Sequence, residues 1–269
     1  MIKGAVAPAL CDELRADYEA YCEAQSGDEV VRDANGHRIR LANLHLGSRA
    51  AQQIALNAKV LALLDLVFDA EAVVYSSLLF DVGTEQSLHR DAPYFFTDPP
   101  RRFLGVWTAL EDVMPDAGPL VYYEGGHLVS EEELALEAIR MHPDGSLAHE
   151  ELADARNRRY LALVDERCRD AGCPRVTRTV QKGDTLIWHP LLPHGGAPIE
   201  NPSATRTSIV YHMVPRSAPV LPIYSYWGIE PRPPREEPKY VECMGRQFFD
   251  HGYAHFQAPS DSRSRTDRV

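Results

Sequence analysis

The chain has 269 residues, 44% of them hydrophobic and 25% charged, with a formal net charge of −11. Such a composition is that of an ordinary globular chain, long enough for one large domain with a substantial core. The acidic balance, with no basic block, argues against nucleic acid as a partner.

The opening MIKGAVAPALCDELR has only a short apolar run and lacks the h-region of a signal peptide, and no stretch approaches the length of a membrane span. From about residue 8 to residue 21, Leu10, Leu14, Tyr18 and Tyr21 recur at helical spacing behind Pro8. SGDEVVRDANGHRIRLANLH reads as a turn joining two short strands. The Ala- and Leu-rich run over residues 48–68 predicts one helix with Ser48 as its cap. The texture then changes. Residues 72–80 are β-branched and aromatic and predict a strand, and residues 102–113 and 118–127 predict two more around a turn at 115–118. Two acidic helical stretches follow, SEEELALEAIRMH and about 150–171, and read as an insertion between strands. RVTRTVQ, DTLIWH and TRTSIVYHMV restore strand texture; residues 231–238 are a Pro-rich loop, and the tail from 258 to 269 has a disordered composition.

This order predicts a mainly β protein, a double-sheet jelly roll over about residues 71–216. A helical layer at about 8–70 precedes it and a helical insertion at about 130–172 interrupts it, all in a single domain over 1–257. Cys11, Cys22, Cys168, Cys173 and Cys243 form no C-x-x-C pair and no disulfide framework, so reduced thiols and a cytoplasmic setting are expected.

The chemistry concentrates in SLHRDAPYF, where His89 and Asp91 stand one residue apart. H-R-D also opens a kinase catalytic loop, but Phe96 occupies the position that loop needs for Asn, and no glycine-rich phosphate loop or D-F-G accompanies it. In an extended segment His89 and Asp91 point to one side and Arg90 to the other. An imidazole and a carboxylate so placed can fill adjacent positions on one metal, and a second histidine completes a 2-His-1-carboxylate face. His194, after a strand and before Gly195-Gly196, is the leading candidate, with His189 its rival. Arg206 and Ser208 share a strand face, and an Arg fork beside a hydroxyl suits one end of a dicarboxylate. Arg90, Arg101 and Arg102 fit either an anionic or polar substrate or a solvated face. His45, His127, His212, His251 and His255 read as structural or exposed. Tyr94, Tyr122, Tyr123 and Tyr211 read mostly as strand and core residues, with one or two in a substrate pocket.

In combination, EQSLHRDAPYF, GVWTALEDVMPDAGPLVYYEGGHL and KGDTLIWHPLLPHGGAPIENPSATRTSIVYH resemble the phytanoyl-CoA dioxygenase family of Fe(II)/2-oxoglutarate oxygenases. The resemblance runs over about residues 83–212, and LANLH and VLALLDLVF resemble the family's N-terminal helical region. It implies a cupin-like double-stranded β-helix core. It implies His89, Asp91 and His194 as Fe(II) ligands, Arg206 on the distal carboxylate of 2-oxoglutarate, and Trp107 as a pocket wall beside that co-substrate. Two departures stand out: EGGH (residues 124–127) replaces the usual P-G-S-H turn, and Gly196 stands where some members carry a serine touching 2-oxoglutarate. Ser208 or Gln86 would supply that contact instead.

The implied reaction consumes O2, releases succinate and CO2, and hydroxylates a C–H bond of a small-molecule substrate, or desaturates, epoxidises or closes a ring. Asp91 argues against halogenation, since a small residue replaces this carboxylate in related halogenases. The alternatives are a cupin-like metal hydrolase or isomerase on the same three residues, and a ligand-binding domain without redox chemistry. Intact Asp91 and Arg206 speak against a mere binder. The sequence carries no sign of the substrate's identity or of an oligomeric state.

Overall fold

The structure is a computed structural model that describes residues 1–25, 32, 36–38, 40–216, 218–231, 238–252 and 254–256. The tail expected to be disordered, and most of the Pro-rich loop, lie outside the described residues. Helix α1 (Pro8–Ala24) carries its proline in the first turn, where no intrahelical N–H is needed, and buries Cys11, Leu14, Tyr18 and Cys22. Strand β1 (Leu41–Ala42) follows.

Residues 48–68 form two helices rather than one: α2 (Arg49–Ala55) and α3 (Ala58–Phe68), with axes bent by 51°. The reason is Asn57. Its Oδ1 accepts from the N–H groups of Lys59 and Val60 at 3.1 and 3.2 Å, starting a new helix, while its Nδ2 donates to Ala5 O. Ser48 caps α2 as expected, accepting from the Ala51 N–H at 3.0 Å. Among the described residues no single helix is long and apolar enough to cross a membrane, although the bent α2–α3 pair reaches that length together.

The strands then come in series: β2 (Ala72–Phe80), β3 (Phe96–Thr97), β4 (Leu104–Ala109) and β5 (Leu120–Tyr123). The insertion is α4 (Glu131–Met141) and α5 (His149–Asp170). After it come β6 (Arg175–Arg178), β7 (Thr185–Trp188), β8 (His194–Gly196), β9 (Ser208–Pro215), β10 (Val220–Leu221), α6 (Ile223–Tyr226), β11 (Tyr240–Cys243), β12 (Arg246–Phe249) and β13 (His255–Phe256).

The main sheet runs β11-β12-β2-β9-β4-β7, with β1 pairing to β2 and β13 to β1. A smaller antiparallel sheet runs β6-β5-β8. The result is a sheet-rich fold with several helices and, among the described residues, no closed barrel. The main sheet draws strands from both sides of the 71–216 span, since β12 pairs parallel with β2 at Phe248 and Val74.

Alternation along β9 decides what lies on each face. Ile209, Tyr211 and Met213 pack with α1, α2 and α3 in the large core, together with Leu79 and Val106. Val210 turns the other way, into a second core with Trp107, Leu120, Leu186 and Trp188. The functional cavity lies on this second face. The insertion has its own core around Leu134, Ala138, Tyr160 and Trp227, pinned by fully buried Arg156, which donates to His142 O at 2.9 Å and Trp227 O at 2.8 Å.

His45 sits in the large core, 0% exposed, with Nδ1 2.7 Å from Ser77 Oγ and its ring on Phe248. Burial, then the neighbouring His251 and His212, lower its pKa from 6.5 to about 3. A histidine depressed in the folded state contributes stability that is full above the unfolded value and is lost as pH falls towards the folded one. At pH 5 the expected loss at this one site is about 2 kcal/mol. Urea midpoints should therefore drop between pH 7 and pH 5, and drop less steeply in His45→Gln; equal pH slopes would refute the assignment.

Candidate metal centre

The turn after β2 carries residues 84–95 across the cavity. His89 locks onto β8 through reciprocal backbone bonds with His194, each 2.9 Å from N to O. The chain then turns sharply: Asp91 N and Ala92 N both donate to Pro190 O, and Asp91 O accepts from Tyr94 and Phe95. His89, Asp91 and His194 each offer one donor atom, and the three atoms lie within 4.8 Å of one another. Asp91 Oδ1 stands 3.7 Å from His89 Nε2 and 3.8 Å from His194 Nε2. The three residues are 9%, 5% and 5% exposed, so ordinary solvent exposure does not explain the cluster.

Each donor is oriented from behind. His89 Nδ1 lies 3.0 Å from Ser87 O and His194 Nδ1 2.9 Å from Leu192 O. A carbonyl only accepts, so both Nδ1 atoms carry the proton and both Nε2 lone pairs face the shared point. Asp91 Oδ2 accepts the Trp188 indole N–H at 2.8 Å, which leaves Oδ1 for the histidine side. Burial, reinforced by His194, lowers the His89 pKa to about 4, keeping the imidazole neutral as a donor must be. Burial by itself would raise Asp91, but the positive charge that His194, His89 and His212 take on when protonated, with the Trp188 N–H, holds it below the usual carboxylate range. Two neutral imidazoles and one carboxylate, buried and converging, fit a divalent first-row metal ion.

A cavity of about 260 Å³ opens onto this triad. Arg206 reaches it from the start of β9 and is 3% exposed. Its Nη1 donates to Gly118 O at 2.8 Å and its guanidinium lies 5.9 Å from the Trp107 ring centre. Nε has no partner, and burial is the sole cause acting on its pKa, lowering it to about 10, so it stays cationic at neutral pH. The Ser208 hydroxyl, two residues on, is also buried without a partner. A buried guanidinium with its Nε unpartnered, in the cavity that holds the triad, is costly by itself and fits an incoming carboxylate.

The other expected residues fall into place unevenly. Trp107 and Gln86 line the cavity, Trp107 while also packing in the core. Ser208 does not line it. A Cβ at Gly196 would lie 2.9 Å from Glu85 N, so a serine there would meet backbone in this chain. His189 is not part of the triad: it is half-buried and faces His127 at 6.0 Å. Arg90 points away from the triad as strand alternation required. It is fully buried and donates to Tyr160 OH at 3.0 Å, Gly126 O at 2.8 Å and Val129 O at 2.9 Å, tying the metal loop to the insertion. Arg101 pairs with Glu131 and Arg102 with Phe68 O, so none of these three arginines serves the cavity.

Sequence reasoning missed Arg40, Thr84, Phe95 and His212, all on the cavity wall, and the role of Trp188. The Trp188 ring lies over Gly105, its partner on β4; a Cβ there would be 2.3 Å from the ring. The glycine makes room for the indole to reach Asp91. Trp188→Phe keeps the ring and removes the donor. Co(II) or Ni(II) affinity, measured calorimetrically, should fall about tenfold to a hundredfold; unchanged affinity in a folded variant would show that the indole does not hold Asp91.

A buried two-histidine, one-carboxylate triad between two sheets, with a buried arginine in the same cavity, defines a candidate mononuclear non-haem metal protein. The comparisons narrow this. A family model of the phytanoyl-CoA dioxygenase (PhyH) family matches residues 1–208. The chain belongs to that family of Fe(II)/2-oxoglutarate-dependent oxygenases. It is 31% identical over 118 residues to the peroxisomal phytanoyl-CoA dioxygenase of Mus musculus, covering 43% of this chain and 30% of that protein. It is 36% identical over 120 residues to phytanoyl-CoA dioxygenase domain-containing protein 1 of Mus musculus, covering 43% of this chain and 41% of that one. The matched segments thus span less than half of these relatives.

Among solved structures, the non-heme alpha ketoglutarate dependent epimerase SnoN from nogalamycin biosynthesis aligns at a TM-score of 0.61 and 17% identity, covering 92% of this chain and 91% of SnoN. EctD from S. alaskensis with bound Fe aligns at 0.55 and 19%, covering 81% and 73%. HygX from Streptomyces hygroscopicus, with nickel and 2-oxoglutarate bound, aligns at 0.54 and 16%, covering 80% and 82%. At these identities the likeness is one of fold.

Proposed function

We propose that this chain is an Fe(II)- and 2-oxoglutarate-dependent dioxygenase that hydroxylates a C–H bond of a small-molecule substrate, on a core of double-stranded β-helix type. The observation that carries the reading is the meeting of the His89–Asp91–His194 triad and buried Arg206 in one cavity. The facing arrangement of β6-β5-β8 against β2-β9-β4-β7 supports the fold type.

In this reading His89 Nε2, His194 Nε2 and Asp91 Oδ1 hold Fe(II). The iron supplies the chemistry that couples O2 and 2-oxoglutarate, with release of succinate and CO2, to substrate oxidation. Arg206 receives the distal carboxylate of 2-oxoglutarate, with Trp107 and Gln86 as walls. Trp188 donates to Asp91 Oδ2, which orients the carboxylate with Oδ1 towards the two histidines that would share the ion. Leu78, Phe80, Leu120 and Val210 make that end of the cavity apolar, which excludes water and strengthens the carboxylate–Arg206 contact. A hydrolase built on the same triad has no use for a buried guanidinium with an unpartnered Nε in the same cavity.

The test is an anaerobic titration with Fe(II) and then 2-oxoglutarate, followed in visible absorbance. The keto acid chelating iron gives a weak charge-transfer band. If iron binds and no band develops, the hydrolase or isomerase reading moves ahead. Because an epimerase shares the fold, product analysis for one added oxygen atom separates hydroxylation from other outcomes.

A further inference from the structure

The insertion ends in a pair of cysteines that the metal centre does not use. Helix α5 closes at Asp170, and the chain leaves it through Gly172 at a φ of 67°. The Gly172 N–H donates to Arg169 O and the Cys173 N–H to Cys168 O, both at 2.9 Å. These two bonds make a Schellman motif, with Cys168 third from the helix end and Cys173 just past the glycine. The motif brings the side chains at those two positions together. Both cysteines belong to the core of the insertion. By standard backbone dimensions, the 2.9 Å bond between them keeps their Cα atoms within about 6.5 Å. A disulfide bridges Cα atoms about 4.4–6.8 Å apart.

The two sulfurs are unequal. Cys168 is 0% exposed, and burial, then Cys173, push its thiol up to about 11. It is protonated at neutral pH and shielded from solutes. Cys173 is half-buried and is the sulfur that a dissolved reagent meets. An accessible cysteine set against a buried one that can resolve it is the arrangement of a redox-sensitive pair. The remaining cysteines are placed otherwise. Cys11 and Cys22 are buried on α1, about three turns apart, and Cys243 lies on β11.

We propose that Cys168 and Cys173 form a redox-modification site, which a hydroperoxide closes into an intramolecular disulfide across the end of α5. The Cys173 thiolate attacks hydrogen peroxide and becomes a sulfenic acid; the hydroxide released takes up the proton that Cys173 has shed. The Cys168 sulfur then attacks the sulfenic sulfur. The S–S bond forms, the S–O bond breaks, and the oxygen leaves as water with the Cys168 proton. Two thiols thus lose two electrons, and the peroxide is reduced to two water molecules. The new bond fastens the last turn of α5 to the segment entering β6. Cys168 shares its core with Tyr160, whose hydroxyl accepts from Arg90, the residue between His89 and Asp91. The site therefore lies behind the tie that holds the metal loop and outside the cavity.

The test uses the full chain loaded with Ni(II), so that iron does not decompose the reagent. The protein is treated with a few equivalents of hydrogen peroxide, then denatured in N-ethylmaleimide. Intact mass should show two fewer maleimide additions, with peptide mapping placing the link between Cys168 and Cys173. Dithiothreitol should restore both. The pair should react at least about tenfold faster than Cys243. In Cys168→Ser the sulfenic acid on Cys173 should be trapped by dimedone, which leaves the oxidised wild type unlabelled. In Cys173→Ser, Cys168 should stay reduced. Wild type that keeps all its thiols overturns the proposal. So does a link to any other cysteine or between chains. Conversion of Cys173 to a sulfinic acid while Cys168 remains alkylated overturns it too. The wild-type result stands without the variants, whose folding is checked by nickel affinity.

Discussion

Asp91→Ala is expected to lose more than about a hundredfold in divalent metal affinity, because it deletes the single carboxylate of a buried donor set. Two neutral imidazoles remain, which hold a hard-to-borderline ion weakly and leave its charge uncompensated in a water-poor cavity. The same change removes the acceptor of the Trp188 N–H. Asp91→Asn separates the two effects: it keeps an oxygen for the indole and removes the negative charge. Calorimetric titration with Co(II) or Ni(II), alongside the anaerobic iron titration, checks both variants. If Asp91→Ala binds metal within tenfold of wild type, the metal centre lies elsewhere, and the His127–His189 pair becomes the place to look.

Arg206→Met is expected to weaken 2-oxoglutarate binding by roughly 30-fold to several thousand-fold, the usual range for removing one partner of a buried charged contact. Methionine keeps much of the volume against Trp107 and removes only the charge and the donors. Two further outcomes distinguish this role from a structural one. Metal affinity should stay close to wild type, because Arg206 does not touch the triad. The melting temperature of the protein without 2-oxoglutarate should hold or rise, since the guanidinium is desolvated, with Nε unpartnered and burial alone depressing its pKa. A large fall in melting temperature with 2-oxoglutarate affinity preserved would make Arg206 a structural residue.

These two sites differ in how they became visible. His89 and Asp91 were legible because alternate residues of an extended segment share a side, and that is a local property. His194 won over His189 on the same ground. Arg206 and Ser208 could be paired along β9 for that reason, although the Ser208 side chain stops short of the cavity. The helix break at Asn57 was hidden, because the Ala- and Leu-rich composition on both sides favours helix and the break needs the Asn57 side chain to cap α3 and hold Ala5.

The sequence by itself determined the helical layer, the strands β2, β4, β5, β6, β7 and β9, the insertion, the His-x-Asp pair and the family motifs. All of these depend on residues close in the chain, where spacing dictates facing. The tertiary structure alone decided that Trp188, 97 residues from Asp91, locks the carboxylate over a glycine on the neighbouring strand. It also decided that Arg90 is spent on the insertion while Arg40, far upstream, enters the cavity. Such contacts depend on which strands pair and in what register. Register is fixed by burying one face of every strand at once, a condition that no single stretch of the chain contains.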